Sequence, residues 1–156
     1  MPWWVWLIVA AAVIGGAVYL ILRSNGDRAW DRRFDTVGGE LSWIHDQVVP
    51  QLLVSPTTTT AAELWQTSHP RVATVESELR ALGSASVSEK RTARANHLRR
   101  LLASVVITIE AYLSLPTDAT ADQVRDAAIT VRNAQADLQE GLDNGGTPPP
   151  PQRMAR

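Results

Sequence analysis

His45 and Asp46 stand side by side in GELSWIHDQVV, with Glu40 five positions before the histidine. An imidazole next to a carboxylate is the pairing that moves protons and, with a third ligand, holds a divalent ion. On an α-helix neighbouring side chains point about 100° apart, so His45 and Asp46 are expected not to converge on one ion; with Glu40 they read as polar side chains beside an apolar seam. His69 directly precedes Pro70, which reads as helix-entry geometry. Glu110 sits within the most apolar run of the chain and is expected to face solvent beside Ile109, with Arg125 or Arg132 as its ion-pair partner should it be buried. No Glu has a His three positions later, as a two-metal carboxylate bundle requires. There is no phosphate-binding glycine loop, no G-x-S-x-G, no H-E-x-x-H and no cysteine. The expectation is therefore no catalytic residue, no metal site and no cofactor: the chain is not an enzyme.

Cations cluster in SEKRTARANHLRR, residues 88–100. Lys90, Arg94 and His97 fall on one helical face, and Arg91, Arg99 and Arg100 widen it. Such a patch can meet anionic lipid, nucleic acid or an acidic protein. No aromatic residue interleaves with the cations, so base stacking is unsupported and nucleic acid is not an expected partner. A solvated helix face is the default reading. Among the aromatics, Trp43 and Trp65 fall beside seams and read as packing residues; either one, if exposed, would mark a protein-binding surface.

The elements that must position these groups are helices. Trp30, Phe34, Val37, Leu41, Ile44 and Val48 recur at steps of four and three, giving one apolar seam. Gly38-Gly39 interrupts it, predicting a bend or the close approach of another backbone. Pro50 is expected to end or kink this helix, and SPTTTT to form a loop. Thr60-x-x-Glu63 reads as a capping box opening a short helix, with Pro70 in the first turn of the next one; Val72, Val75, Leu79 and Leu82 form its seam and Gly83 closes it. Ser86-x-x-Glu89 caps a helix over about 87–115 whose half LLASVVITIEAYL is apolar on nearly every face, which predicts a central helix. Pro116 stops it. Thr120-x-x-Gln123 caps a last helix with the seam Val124, Ala127, Val131, Ala134, Leu138 and Leu142.

Upstream lies WWVWLIVAAAVIGGAVYLIL, residues 3–22, twenty residues without a charge and long enough to cross a bilayer. A cleaved signal peptide is disfavoured by the absence of Lys or Arg before the run and of a small-x-small site after it. Arg23, Arg28, Arg32 and Arg33 follow the run and no cation precedes it, so the positive-inside rule predicts a single-pass cell-membrane protein with its N-terminus outside and its bulk cytoplasmic. Ala11 with Gly15 and Ala12 with Gly16 are small pairs through which anchors can pack.

The predicted fold is all-α: an N-terminal transmembrane helix (1–23), an antiparallel bundle of about four main helices (24–143), and a disordered Pro-rich tail (144–156). An elongated homo-oligomeric coiled coil is the competing arrangement, disfavoured because Pro50, Pro70 and Pro116 divide the chain too often. The order of anchor, seam helix with VVPQLL, and LWQTSHPRVATVESELRAL followed by an Arg-rich helix resembles single-pass membrane proteins of actinobacteria, over most of residues 1–142. AWDRRFD, VVPQLL and IEAYLSLP are similar to the LemA family, whose members also join an N-terminal anchor to long helices. These resemblances imply architecture and no activity. The functional expectation is a membrane-tethered binding or scaffolding module with protein partners and the lipid bilayer. The alternatives are a homo-oligomer and an accessory subunit that contacts a larger membrane complex through its anchor helix.

Overall fold

A stripe of apolar side chains leaves water only against another such stripe, and the seams of this chain do so within one molecule. The computed structural model describes residues 26, 28–86 and 88–148. The chain divides into two units, Met1–Arg33 and Phe34–Arg156, and the bundle lies in the second. The helices are α1 (28–43), a π-helical turn Ile44–Val48, α2 Val49–Val54, α3 Thr58–Ala85, α4 Glu89–Leu113 and α5 Ala121–Asp143. No strand occurs among the described residues.

Contacts between elements set the order. Glu40 meets Arg71, Thr92 meets Gly83, His69 approaches Glu110, and Gln135 meets His45, so successive helices run up and down. Helix α4 packs on α3 and α5, while the π-turn and α2 lie against both α3 and α5 and close the bundle. Short connections leave no other economical arrangement.

The core is the set of seams. Phe34, Val37, Leu41, Ile44 and Val48 are all buried, as are Val72, Val75, Leu79 and Leu82, and Val131, Ala134 and Leu138; Trp30 is buried too. Val124, Ala127 and Leu142, the margins of the last seam, are half-buried. Because these faces are covered within one chain, the elongated coiled-coil arrangement is not what the bundle needs. No buried side-chain nitrogen or oxygen among the described residues lacks a hydrogen-bond partner.

Several local expectations are corrected. Pro70 does not begin a helix: α3 runs unbroken through it, because Ala61, Trp65, Ser68, Val72, Val75, Leu79 and Leu82 form one continuous buried stripe. Pro70 and Gln66 are both exposed, so the carbonyl that loses its donor faces water. The N-cap is Thr57, whose hydroxyl accepts from the Thr60 N–H at 3.1 Å, and not Thr60; four threonines in a row offer the same chemistry at four positions. Ser86 does not cap α4. Its Oγ accepts from the Ser88 N–H at 3.1 Å, and Ser88 is the capping position. Gly83 lies inside α3, where a Cβ would stand 3.1 Å from Asn96 Oδ1; it admits α4 and does not end the helix. A Cβ on Gly38 or Gly39 would meet nothing within 4 Å, so no other helix crowds the side-chain positions of these glycines. Thr120 and Gln123 do form the capping box on α5.

Helix α4 lies between α3 and α5 as a central helix should, but its second half is not buried on nearly every face. Leu102, Val105, Ile109 and Tyr112 are buried, but Ile107 is 65 % exposed. Residues 144–148, expected to open the tail, close α5 instead. Gly146 donates to the Gly141 carbonyl at 2.7 Å and Gly145 to that of Leu142 at 2.8 Å, with Gly145 at φ 58°, a Schellman closure of α5. No helix among the described residues is long and apolar enough to cross a membrane. Residues 3–22, with Ala11, Ala12, Gly15 and Gly16, lie outside the described residues, as do 149–156.

Candidate functional site

His45 sits in the π-turn, and Pro50 explains why that turn needs help from outside. In the π register the Val49 N–H bonds to the Ile44 carbonyl, so the carbonyl of His45 would take its hydrogen from residue 50, which has none. Gln135 of α5 supplies it: Nε2 donates to the His45 carbonyl at 2.8 Å. Pro50 therefore does not end the helix; the chain continues helical to Val54. Within this turn His45 Nδ1 lies 2.6 Å from Asp46 Oδ1, an exposed contact between neighbours. Removing the amide in Gln135→Leu leaves a carbonyl unpaired and is expected to destabilise the bundle by about 1–3 kcal/mol. Adding Pro50→Ala restores a backbone donor and should recover much of that loss in chemical denaturation. Equal stability of Gln135→Leu with and without Pro50→Ala would refute this link.

Between α1 and α3, Arg71 donates through Nε and Nη2 to the two carboxylate oxygens of Glu40, at 2.6 and 2.9 Å, while its guanidinium lies 3.9 Å over the ring of Trp43. The hydrogen bond from Arg71 holds the Glu40 carboxyl below its usual pKa of 4.5, against a smaller effect of burial. A depressed carboxyl pKa contributes stability that is fully present above the unfolded value and is lost as pH falls through the folded one. The Glu40 carboxyl carbon should thus titrate below 4.5. Arg71→Met keeps the stem over Trp43 and should return the midpoint toward that value. An unmoved midpoint would separate Glu40 from Arg71.

Trp65 is buried, and its indole meets His69 edge-on with centroids 5.4 Å apart. The condition under which it would mark a partner surface is not met. Trp43 is half-buried and stacked by Arg71. Glu110 is exposed, as expected, and approaches His69 Nε2 at 4.0 Å; Arg125 pairs instead with Asp122 at 3.2 Å on its own helix.

The basic face of α4 is divided. Lys90 and Arg100 are exposed, and Arg91 and Arg99 half-buried. Arg94 turns inward, donating through Nε to the Gly145 carbonyl at 2.5 Å and stacking 4.8 Å over Phe34. His97 is held neutral-leaning first by burial and then by Arg100, both of which lower its pKa. Two of the three residues expected on one solvated face, Arg94 and His97, therefore serve contacts within the bundle.

No group of three or more His, Cys, Asp or Glu that could hold a metal ion occurs among the described residues. The polar groups that matter most to the structure are ones the sequence reading passed over: Gln135, Arg71 and the Gly145-Gly146 pair. Asn-Gly-Gly after an apolar seam is a helix-stop signal that could have placed the last of these, whereas nothing local marks Gln135 or Arg71. No protein-family model matches the chain, and no curated protein and no solved structure matches it.

Proposed function

We propose that the chain is a membrane-tethered helical binding or scaffolding module without catalytic activity. Residues 3–22 are the anchor, the N-terminus lies outside, and the bundle stands on the cytoplasmic side of the cell membrane. The observation that carries the non-catalytic part is the dispersal of the reactive groups. Glu40 is held by Arg71, His45 by Asp46, His69 lies beside Glu110, and Arg94 grips Gly145, and no three His, Asp or Glu side chains gather at one point among the described residues. A reaction needs such groups to converge on one atom of a substrate, and each of these is engaged by a partner of its own. The tether rests on the charge-free run and on the four arginines that follow it.

Replacing residues 1–23 by an unrelated apolar segment of equal length tests the reading. Crosslinks from the bundle to neighbouring proteins should persist, because the anchor only raises local concentration. Their loss would make the anchor itself the contact and the chain an accessory subunit. Release of the full chain by carbonate washing, or digestion of its C-terminal portion by protease added to intact cells, would overturn the tether or its direction.

A further inference from the structure

We propose that Asn144-Gly145 is a self-modification site, at which the glycine nitrogen converts the asparagine to aspartate or isoaspartate whenever the closure of α5 opens. This chemistry is independent of the tether and of the binding role. The fold itself requires the glycine. Helix α5 closes through Gly145 and Gly146 at φ 58° and 71°, a region that side chains enter only with strain, and a Cβ on Gly145 would stand 3.1 Å from Arg94 Nη2. The residue that follows the exposed Asn144 is therefore one with no side chain to shield its nitrogen. Asn96 and Asn133 lie inside α4 and α5 and precede His97 and Ala134. Asn25-Gly26 is a second pair of the same type, with residue 25 outside the described residues.

The reaction consumes only water. Once the Gly145 nitrogen gives its proton to hydroxide it attacks Asn144 Cγ, a C–N bond closes a cyclic imide, and the side-chain nitrogen takes a proton from water and leaves as ammonia. Water then opens the ring at either carbonyl. Opening at Cγ leaves aspartate; opening at the main-chain carbon leaves isoaspartate, with the backbone rerouted through Cβ and Cγ. Nothing is oxidised or reduced.

The closed structure forbids the attack. The imide ring is planar, so Asn144 Cβ must eclipse the Gly145 nitrogen about the Cα–C bond. At ψ 9° the nitrogen of Asn144 holds that eclipsed place, and Cβ, on the same tetrahedral carbon, is turned away. Swinging the peptide round breaks a hydrogen bond on each side of it. The Gly145 N–H donates to the Leu142 carbonyl at 2.8 Å, and the Asn144 carbonyl accepts from the Thr147 N–H at 3.1 Å. Arg94 Nε, donating to the Gly145 carbonyl, and the Gly146 N–H, donating to the Gly141 carbonyl at 2.7 Å, hold the next peptide as well.

The isoaspartyl product does not restore the closure. It adds a carbon to a turn whose hydrogen bonds are set residue by residue. Either product also adds a negative charge beside Asp143 at the C-terminal end of α5, where the helix dipole is already negative. Each conversion thus records an opening of the bundle's end.

The test ages the full chain in neutral detergent at mildly alkaline pH, with and without guanidinium chloride. Tryptic fragments are read by mass for the exchange of an amide for an acid, with fragmentation assigning the change to position 144 or 25 and separating aspartate from isoaspartate. Conversion at 144 should be at least about tenfold faster in denaturant than in the folded chain, because only the open form reacts. Arg94→Met keeps the stem on Phe34, loses the grip on Gly145, and should raise the folded rate about threefold. Gly145→Ala should slow the rate in denaturant, where the fold plays no part and only the shielding methyl acts. Circular dichroism confirms that Arg94→Met folds, and the wild-type comparison stands without it. Equal rates with and without denaturant, no conversion at 144 in denaturant, or an unchanged folded rate in Arg94→Met would overturn the proposal.

Discussion

Ile109→Ala is expected to destabilise the bundle by about 3–5 kcal/mol, whereas Ile107→Ala, two residues away in the same helix, should change it by less than about 0.5 kcal/mol. Both are isoleucines in the run LLASVVITIEAYL. Ile109 has no exposed surface and Ile107 is 65 % exposed, because a step of two residues on an α-helix is about 200° and turns one side chain into the core and the other away from it. Truncating Ile109 removes buried hydrocarbon and leaves a cavity that Val105 and Leu102, also fully buried, cannot fill without leaving their own contacts. Chemical denaturation of the two variants checks this. Similar losses at both positions would mean that the outer face of α4 is covered after all.

The second large effect is at the closure of α5. Gly146→Val should destabilise by about 2–4 kcal/mol from two sources. Its φ is 71°, a conformation that a β-branched residue adopts only with strain. A Cβ there would also stand 3.1 Å from Phe34 Cζ and 3.2 Å from two atoms of Leu98, side chains fixed in the core. The same change at Gly38, where a Cβ meets nothing within 4 Å, carries neither clash. Amide hydrogen exchange adds a signature that a diffuse loss of stability would not produce: protection should fall first in residues 141–147 and at the start of α1, where Phe34 sits. Uniform loss across all helices would mean that the closure opens only with the whole bundle and not as a local unit.

The Pro50 region shows how far a local reading goes. Proline's missing N–H is a property of one residue and marks where the α-register is in difficulty, but the stop or kink expected from it is not what the chain does. Whether the chain stops, kinks or widens depends on what stands across from the orphaned carbonyl, and that is Gln135, ninety residues later. Pro70 carries the same defect with no such partner and is tolerated because its side of α3 faces solvent. The two prolines are equivalent to their sequence neighbours and differ only in their surroundings.

The candidate site divides in the same way. His45, Asp46, Glu40, His69 and Glu110 were identifiable from residue type alone, and the exposure of Glu110 was expected. The guanidinium of Arg71 lying on Trp43 and reaching Glu40, or Arg94 folding back to Gly145, joins residues thirty and fifty positions apart. No periodicity encodes such distances.

The sequence alone determined that the described residues are helical and which faces of α1, α3 and α5 are buried, because both follow from the spacing of apolar residues over one or two turns. It also set the sign of the charge near each element, since charge is additive. Only the tertiary structure decided that α3 passes through Pro70, that α4 shows Ile107 to solvent, and that Gln135 completes the π-turn. Those outcomes depend on which helices become neighbours and in what register. Neighbours and register come from minimising the exposed area of all the seams at once, a condition on the whole chain that no single stretch of it contains.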